Sequence, residues 1–418
     1  MSSARIVQLS SKIAYNVAVL DEYLRTQGLP SLSFDLDGLS EFEVLKEHPE
    51  IENARVAALE ATIELQDLLQ GTTALLGPTV NATSLQAIYK YDIVSKVPIH
   101  GEISFRDLAV SCNICEPDLI RILRFAMIHH RVFTEPRKGF VAHTAASCKL
   151  VEDRGHYDRL GMMYDELWQG MAQTVNAMEK FKGHELNETG FSLAHDTTDS
   201  LYEYHDKHPE KARRFAGAMK AYSERSGQDT LEALKAYDWG SIQDQTVVDI
   251  GGSRGHISMA LAQALPSFKF IVQDRPETVN GAIENVPMEL RERVSFMEHD
   301  CLSEQPIVAG AYLLRRVLHN WPDEYCVKIL QNLRPALRPG ARIVIDEILL
   351  PEPNSTSVLK ERRFRAMDML MMSMFNARER DREGWISLFQ QADSRFRFVD
   401  AIVPSGLDSA IIEAVWEP

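Results

Sequence analysis

Val248-Asp249-Ile250-Gly251-Gly252-Ser253-Arg254-Gly255-His256 ends one apolar run and opens another, which continues through residues 257–265. The first run has the length and branching of a buried strand, and the second has that of a helix. Three glycines within five residues allow a tight strand-to-helix turn and let a ligand approach the backbone closely. A plain turn of this kind needs one glycine, so the cluster favours a nucleotide-like ligand. The next apolar run ends in Gln273-Asp274-Arg275-Pro276, which puts a carboxylate 25 residues after Asp249. That is about where a ribose-hydroxyl acceptor belongs in a dinucleotide-type fold. A third run ends in Glu298-His299-Asp300-Cys301. A single aspartate at a strand end is most simply a helix cap, but three on successive strands suggest one shared crevice at the carboxyl edge of a sheet.

Working outward, apolar runs at 246–250, 268–272, 294–297, 311–314 and 341–345 alternate with helical stretches, and runs at 396–403 and 410–416 close the chain. This alternation predicts a mostly parallel sheet with helices on both faces. Upstream the grammar is different. Residues 6–24 and 54–76 carry apolar side chains at helical spacing, bounded by turns at Gly28–Pro30 and Gly77–Pro78, and longer helical stretches cover 157–181 and 200–222. Between them, the short segments at 104–109 and 116–124, followed by an expected hairpin through 132–134 and 139–141, read as a winged helix. Two domains are predicted, 1–160 and 161–418, in keeping with roughly 100–200 residues per domain.

Of the 418 residues 45% are hydrophobic and 25% charged, the balance of a chain able to bury a sizeable core. The formal charge of −15 repels phosphate backbones and anionic lipid. The segment 116–124 balances two arginines with two acids and lacks a basic stripe, so a structural or dimerising role is expected of the winged helix rather than nucleic-acid binding. No run approaches the roughly 18 apolar residues of a membrane span, and the first residues lack the layout of a signal peptide, so a cytoplasmic protein is expected. Five scattered cysteines make no disulfide framework. Cys112 and Cys115 form a CxxC without a second ligand pair, which reads as two packed thiols more simply than as half of a zinc or redox site.

In this order and spacing, DIGGSRGHIS, IVQDRPETV, EHDCL, LLRRVLHNWPDEYCVKIL and IDEILLPEP resemble the class I S-adenosylmethionine-dependent O-methyltransferases of the plant-caffeate and fungal small-molecule type. The resemblance spans nearly the whole chain and is most specific over 315–323. It implies a Rossmann-like methyltransferase domain with a mostly parallel seven-stranded sheet, preceded by a mainly helical winged-helix domain that makes a homodimer and helps form the substrate pocket. It further implies that S-adenosylmethionine is the methyl donor and S-adenosylhomocysteine the product. Gly251 would lie against the methionine part and Asp274 would bind the ribose hydroxyls, with Gly252 and Arg275 also among the cofactor-binding residues. Asp300 and Cys301 would flank the adenine, and Arg315 would supply a basic contact. One departure is Ser253, where the family has glycine.

Methyl transfer from a sulfonium is an in-line displacement with an activated donor, so the protein supplies alignment and a base for the acceptor's proton. Histidine suits this, being largely neutral near pH 7. One histidine among 13 is ordinarily structural. The resemblance nevertheless assigns the base to His319 in Leu318-His319-Asn320-Trp321-Pro322-Asp323, with Glu347 and Glu379 as its carboxylate partners. A carboxylate accepting from one ring nitrogen fixes the tautomer and leaves the other nitrogen basic. Asn320 replaces the family's commoner aspartate and is expected to lower the pKa of His319 by removing a charge. Met367, Met369, Met371, Met372 and Met374 are divided between core packing and lining of the acceptor site, and His129 and His130 read as structural. No metal is implied. The expected acceptor is a hydroxyl of a small aromatic, alkaloid-like or polyketide-like metabolite. The alternatives are methylation of nitrogen, or a cofactor-bound catalyst of a rearrangement or pericyclic reaction, whose relatives tend to lose the histidine and its carboxylates.

Overall fold

In the computed structural model, which describes residues 4–36, 48–76, 81–353, 355–404 and 407–417, the chain divides into two units. The first comprises Met1–Trp168, Pro209–Ala221 and Ser357–Arg362, and the second the remaining segments. The first unit is therefore discontinuous in sequence, where one unbroken N-terminal domain ending at residue 160 was expected.

In the first unit, helices Arg5–Thr26 and Pro49–Gln70 pack together through Leu20, Tyr23, Ile51 and Ala54. The second ends at Gly71, whose φ of 78° stops it short of the expected residue 76. The expected turn at Gly77–Pro78 lies outside the described residues. Strand β1 (Glu102–Ser104) leads into helix Phe105–Cys112, capped by the Ser104 side chain accepting from the Asp107 N–H, and helix Glu116–His130 follows. The chain returns through a bridge at Thr134 and strand β2 (Phe140–Ala142), antiparallel to β1. Leu108, Leu119, Leu123, Phe133 and Val141 fill the space between. Arg121 and Arg124 on the second helix are paired with Asp118 and Glu135. Cys112 is buried, but Cys115 is exposed, so the two are not packed together. Cys115 starts the second helix with its backbone, and that position faces solvent.

Of the later segments, Pro209–Ala221 is joined to this unit by buried polar contacts. The expected helix at 200–222 breaks at His208, because Pro209 starts a new helix, Pro209–Ala236. From it the buried Arg214 reaches Glu166, Asp165 at 3.2 Å and the Tyr89 hydroxyl at 2.9 Å. Glu166 lies in a wide π turn, Met162–Leu167, that interrupts the predicted helix. Removing one member of such a pair strands the other charge in the interior. Arg214→Met is thus expected to cost about 3–5 kcal/mol, read as a lower Tm and urea midpoint.

The second unit holds a seven-stranded sheet in the order β5-β4-β3-β6-β7-β9-β8. The strands are β3 Thr246–Ile250, β4 Lys269–Asp274, β5 Val294–Glu298, β6 Ala311–Arg315, β7 Arg342–Ile348, β8 Phe396–Ile402 and β9 Ser409–Trp416. The first five are mutually parallel, and β9 runs antiparallel to both β7 and β8. Alternation divides each strand between two cores: Val248, Tyr312, Leu314, Ile343 and Ile345 face Trp385 and Phe389, while Val247, Leu313 and Val344 face Trp239 and Leu261. The chain leaves β3 for β4 on one side and later returns to β6 on the other. That reversal opens a crevice at the carboxyl ends of β3 and β6, where open α/β sheets bind ligands. Among the described residues, no helix is long and apolar enough to cross a membrane.

Candidate active site

The glycine turn sits at that crevice. Gly251 and Gly252 donate their N–H groups to the Gln273 carbonyl at 2.8 and 3.2 Å, and Ser253 N–H donates to Asp274 Oδ2 at 2.8 Å. The loop after β3 is thereby fastened to the end of β4. Close approach explains the glycines: a Cβ on Gly251 would lie 2.8 Å from Val317 Cγ2, and one on Gly252 only 2.5 Å from Asp249 Oδ2. Ser253 sits at a φ of 54°, where a side chain costs about 1 kcal/mol relative to glycine. Its N–H bond to Asp274 offsets part of that strain.

Asp274 also accepts from the Arg275 N–H at 2.8 Å, and a carboxylate has further lone pairs to offer. The Arg275 guanidinium turns outward to Asp206 and Glu277, both at 2.9 Å. Asp300 is exposed, with one oxygen accepting from the Leu302 N–H. Burial pushes the neighbouring Cys301 thiol up to about 12, so it is a neutral, half-buried group. Arg315 ends β6 with its Nε 3.3 Å from Asp346 Oδ2, but not aligned as a hydrogen bond. Both Asp346 oxygens also lack hydrogen-bond partners among the described residues, and burial raises the pKa of that carboxyl.

Asp249, beneath the loop, accepts from the Ser258 hydroxyl at 2.6 Å. Burial pushes its pKa to about 6, against the partial opposing pull of the Ser258 bond and the Arg315 charge. Because the folded pKa lies above that of the unfolded chain, near 3.9, Asp249 favours folding fully only below the lower value, and that stability is lost as pH rises through about 6. Asp249→Asn should remove this loss. Relative to wild type, the variant is expected to gain roughly 2–3 kcal/mol between pH 4 and 7 in paired urea melts.

The second group lies beside the first. His319 is buried in a short 3₁₀ turn, Leu318–Asn320, and its Nδ1 is 2.9 Å from Glu379 Oε1. Glu347 is held differently. Its Oε1 accepts the backbone N–H groups of Val317 and His319, each at 3.1 Å, so it fixes the turn rather than the ring. Burial drives the Glu347 carboxyl upward in pKa. It also lies within β7, not after it, because pairing with β9 carries the ladder on to Ile348↔Ser409. Neither glutamate is a solvated surface charge: they are 1% and 3% exposed. Val317 links the two groups, touching the glycine turn on one side and Glu347 on the other. Asn320 Nδ2 donates to the Arg316 carbonyl at 3.1 Å, a bond aspartate could not make.

Residues 176–395 match the model of the O-methyltransferase domain. The chain belongs to this O-methyltransferase family. The methyltransferase is 50% identical to the grayanic acid biosynthesis cluster O-methyltransferase of Cladonia grayi, over 99% of this chain and 88% of that one. It is 42% identical to the O-methyltransferase pyvH of Aspergillus violaceofuscus over the whole of both chains. Among solved structures, OxaC in complex with S-adenosylhomocysteine and oxaline is similar in fold, with a TM-score of 0.74 and 22% identity over 99% of this chain and all of that one. Reading the methyltransferase's sequence missed Asp368, whose Oδ1 accepts the Glu379 N–H at 2.9 Å, and also the buried Asp346 and Arg380. Only their nearness in sequence to Glu347 and Glu379 hinted at the last two.

Proposed function

We propose that this O-methyltransferase transfers a methyl group from S-adenosylmethionine to a hydroxyl of a small aromatic, alkaloid-like or polyketide-like secondary metabolite, with His319 as the general base. The observation that carries this reading is the buried His319–Glu379 pair at 2.9 Å, two residues along the chain from Val317, which packs against a glycine turn that needs its glycines. The donor set suits the cofactor: a carboxylate with free lone pairs at the end of β4 for a ribose diol, and beside the turn an arginine and an aspartate lacking aligned hydrogen bonds for an amino-acid end. Gly251, Gly252, Asp274, Arg275, Asp300, Cys301 and Arg315 would hold it. When bound, S-adenosylmethionine supplies an activated sulfonium methyl and leaves as S-adenosylhomocysteine.

Glu379 accepts from Nδ1–H and so keeps the lone pair on Nε2. His319 Nε2 then takes the hydroxyl proton as the oxygen–methyl bond forms, and Glu379 stabilises the resulting imidazolium. Retention of the histidine and both carboxylates favours this over the rearrangement reading. We further propose that the first unit is a winged-helix domain through which two copies dimerise. The exposed apolar side chains Tyr15, Val17 and Leu69 on its first two helices support this. The enzyme is proposed to act in the cytoplasm without a metal, so its activity should survive EDTA.

The test is an assay with methyl-tritiated S-adenosylmethionine and pooled phenols, hydroxylated polyketides and indole alkaloids, comparing wild type with His319→Ala. Label on oxygen that disappears in the variant supports the reading. Substrate converted without label would overturn it, and label on nitrogen would move the acceptor.

A further inference from the structure

Arg380 carries a full charge yet is 2% exposed, which requires an unusual set of partners. Its guanidinium donates to the Leu318 carbonyl at 3.2 Å, the Trp321 carbonyl at 3.2 Å and Asp323 Oδ1 at 2.7 Å, with Nε also on Asp323 at 3.1 Å. These acceptors bracket His319: one just before it, the other two shortly after. The Leu318 carbonyl already accepts the Trp321 N–H at 3.1 Å, whereas the Trp321 carbonyl accepts no backbone N–H among the described residues, and a planar fork can reach both carbonyls and Asp323 at once in a fixed geometry that a lysine ammonium lacks.

The backbone of Arg380 is equally placed. It bridges Leu349, and its carbonyl accepts the Leu350 N–H at 2.9 Å, three residues beyond Glu347. Its immediate neighbour is Glu379, whose oxygen meets the His319 ring. One residue thus ties together the three segments that bear His319, Glu347 and Glu379. The Cys326 thiol, donating to the Leu318 carbonyl at 3.1 Å, packs against the same brace.

We infer that Arg380 is a positioning residue, which holds the 318–323 turn so that the His319 ring stays in register with Glu379. This rests on the proposed role of His319 as base. Without the fork the turn can slide or tilt. A displacement of about 1 Å at a reacting group can cost about 100-fold in rate, and the ring would also lose its fixed tautomer.

The test uses the full-length protein labelled with ¹⁵N-histidine, as wild type, Arg380→Lys, Asp323→Asn and His319→Ala, each saturated with S-adenosylhomocysteine. His319 is assigned by the signal missing from His319→Ala. In wild type a single Nδ1–H tautomer is expected. In Arg380→Lys and Asp323→Asn the signal should move toward averaging of the two tautomers, and kcat on the best-labelled phenol of the pooled assay should fall at least about tenfold. The KM for S-adenosylmethionine should change little. Asp323 is a third exposed, so its isosteric amide keeps the test alive if Arg380→Lys does not fold. Wild-type kcat in both variants, or a fallen kcat with an unmoved tautomer, would overturn the inference while leaving the base intact. Undiminished transfer by His319→Ala would overturn the base reading itself.

Discussion

His319→Ala is expected to lower kcat by about 100- to 10,000-fold, the usual weight of a general base, while S-adenosylhomocysteine binds within about threefold of wild type. The split follows from position. The imidazole is fastened to Glu379 at 2.9 Å and the turn by backbone N–H bonds to Glu347, so the truncation removes a proton acceptor without releasing the segment next to the glycine turn. Calorimetry with the product and single-turnover rates with labelled donor would measure the two quantities separately. A comparable fall in product affinity would mean that the ring supports the cofactor site instead.

Glu379→Gln is expected to be nearly as damaging, again by about 100- to 10,000-fold in kcat, despite almost unchanged shape. The amide can turn its NH₂ toward Nδ1, which favours the proton on Nε2 and leaves the wrong nitrogen basic. It also removes the charge that stabilises the imidazolium. The Glu379 backbone N–H is held by Asp368, so the substituted side chain should stay in place. Raising the pH should not restore the rate, because the fault is tautomeric and not a matter of proton occupancy. Wild-type kcat in Glu379→Gln would show that the carboxylate neither sets the tautomer nor stabilises the imidazolium.

The two glutamates show how far residue patterns reach. The family resemblance, not their type or spacing, placed both near His319, and nothing in the residues separated the one that holds the ring from the one that holds the turn. That difference depends on the direction of each side chain, set by where β7 pairs and how residues 376–380 cross it. Arg380 was harder still to read. Its sequence context, Arg378-Glu379-Arg380-Asp381-Arg382, looks like a solvated charge run, and only burial tells one arginine from its neighbours.

By itself the sequence determined the alternation of strands and helices, the seven runs of the sheet and the carboxylates at successive strand ends. Those are local matters: apolar periodicity, glycine at a turn and the length of each run. Tertiary structure decided what long-range contacts control. Pairing with β9 drew Glu347 into β7, and the demand of Arg214 for buried partners placed Pro209–Ala221 with the N-terminal unit. A buried charge must find its partners in space, and the segments that bring Arg380 to Leu318 lie about sixty residues apart along the chain.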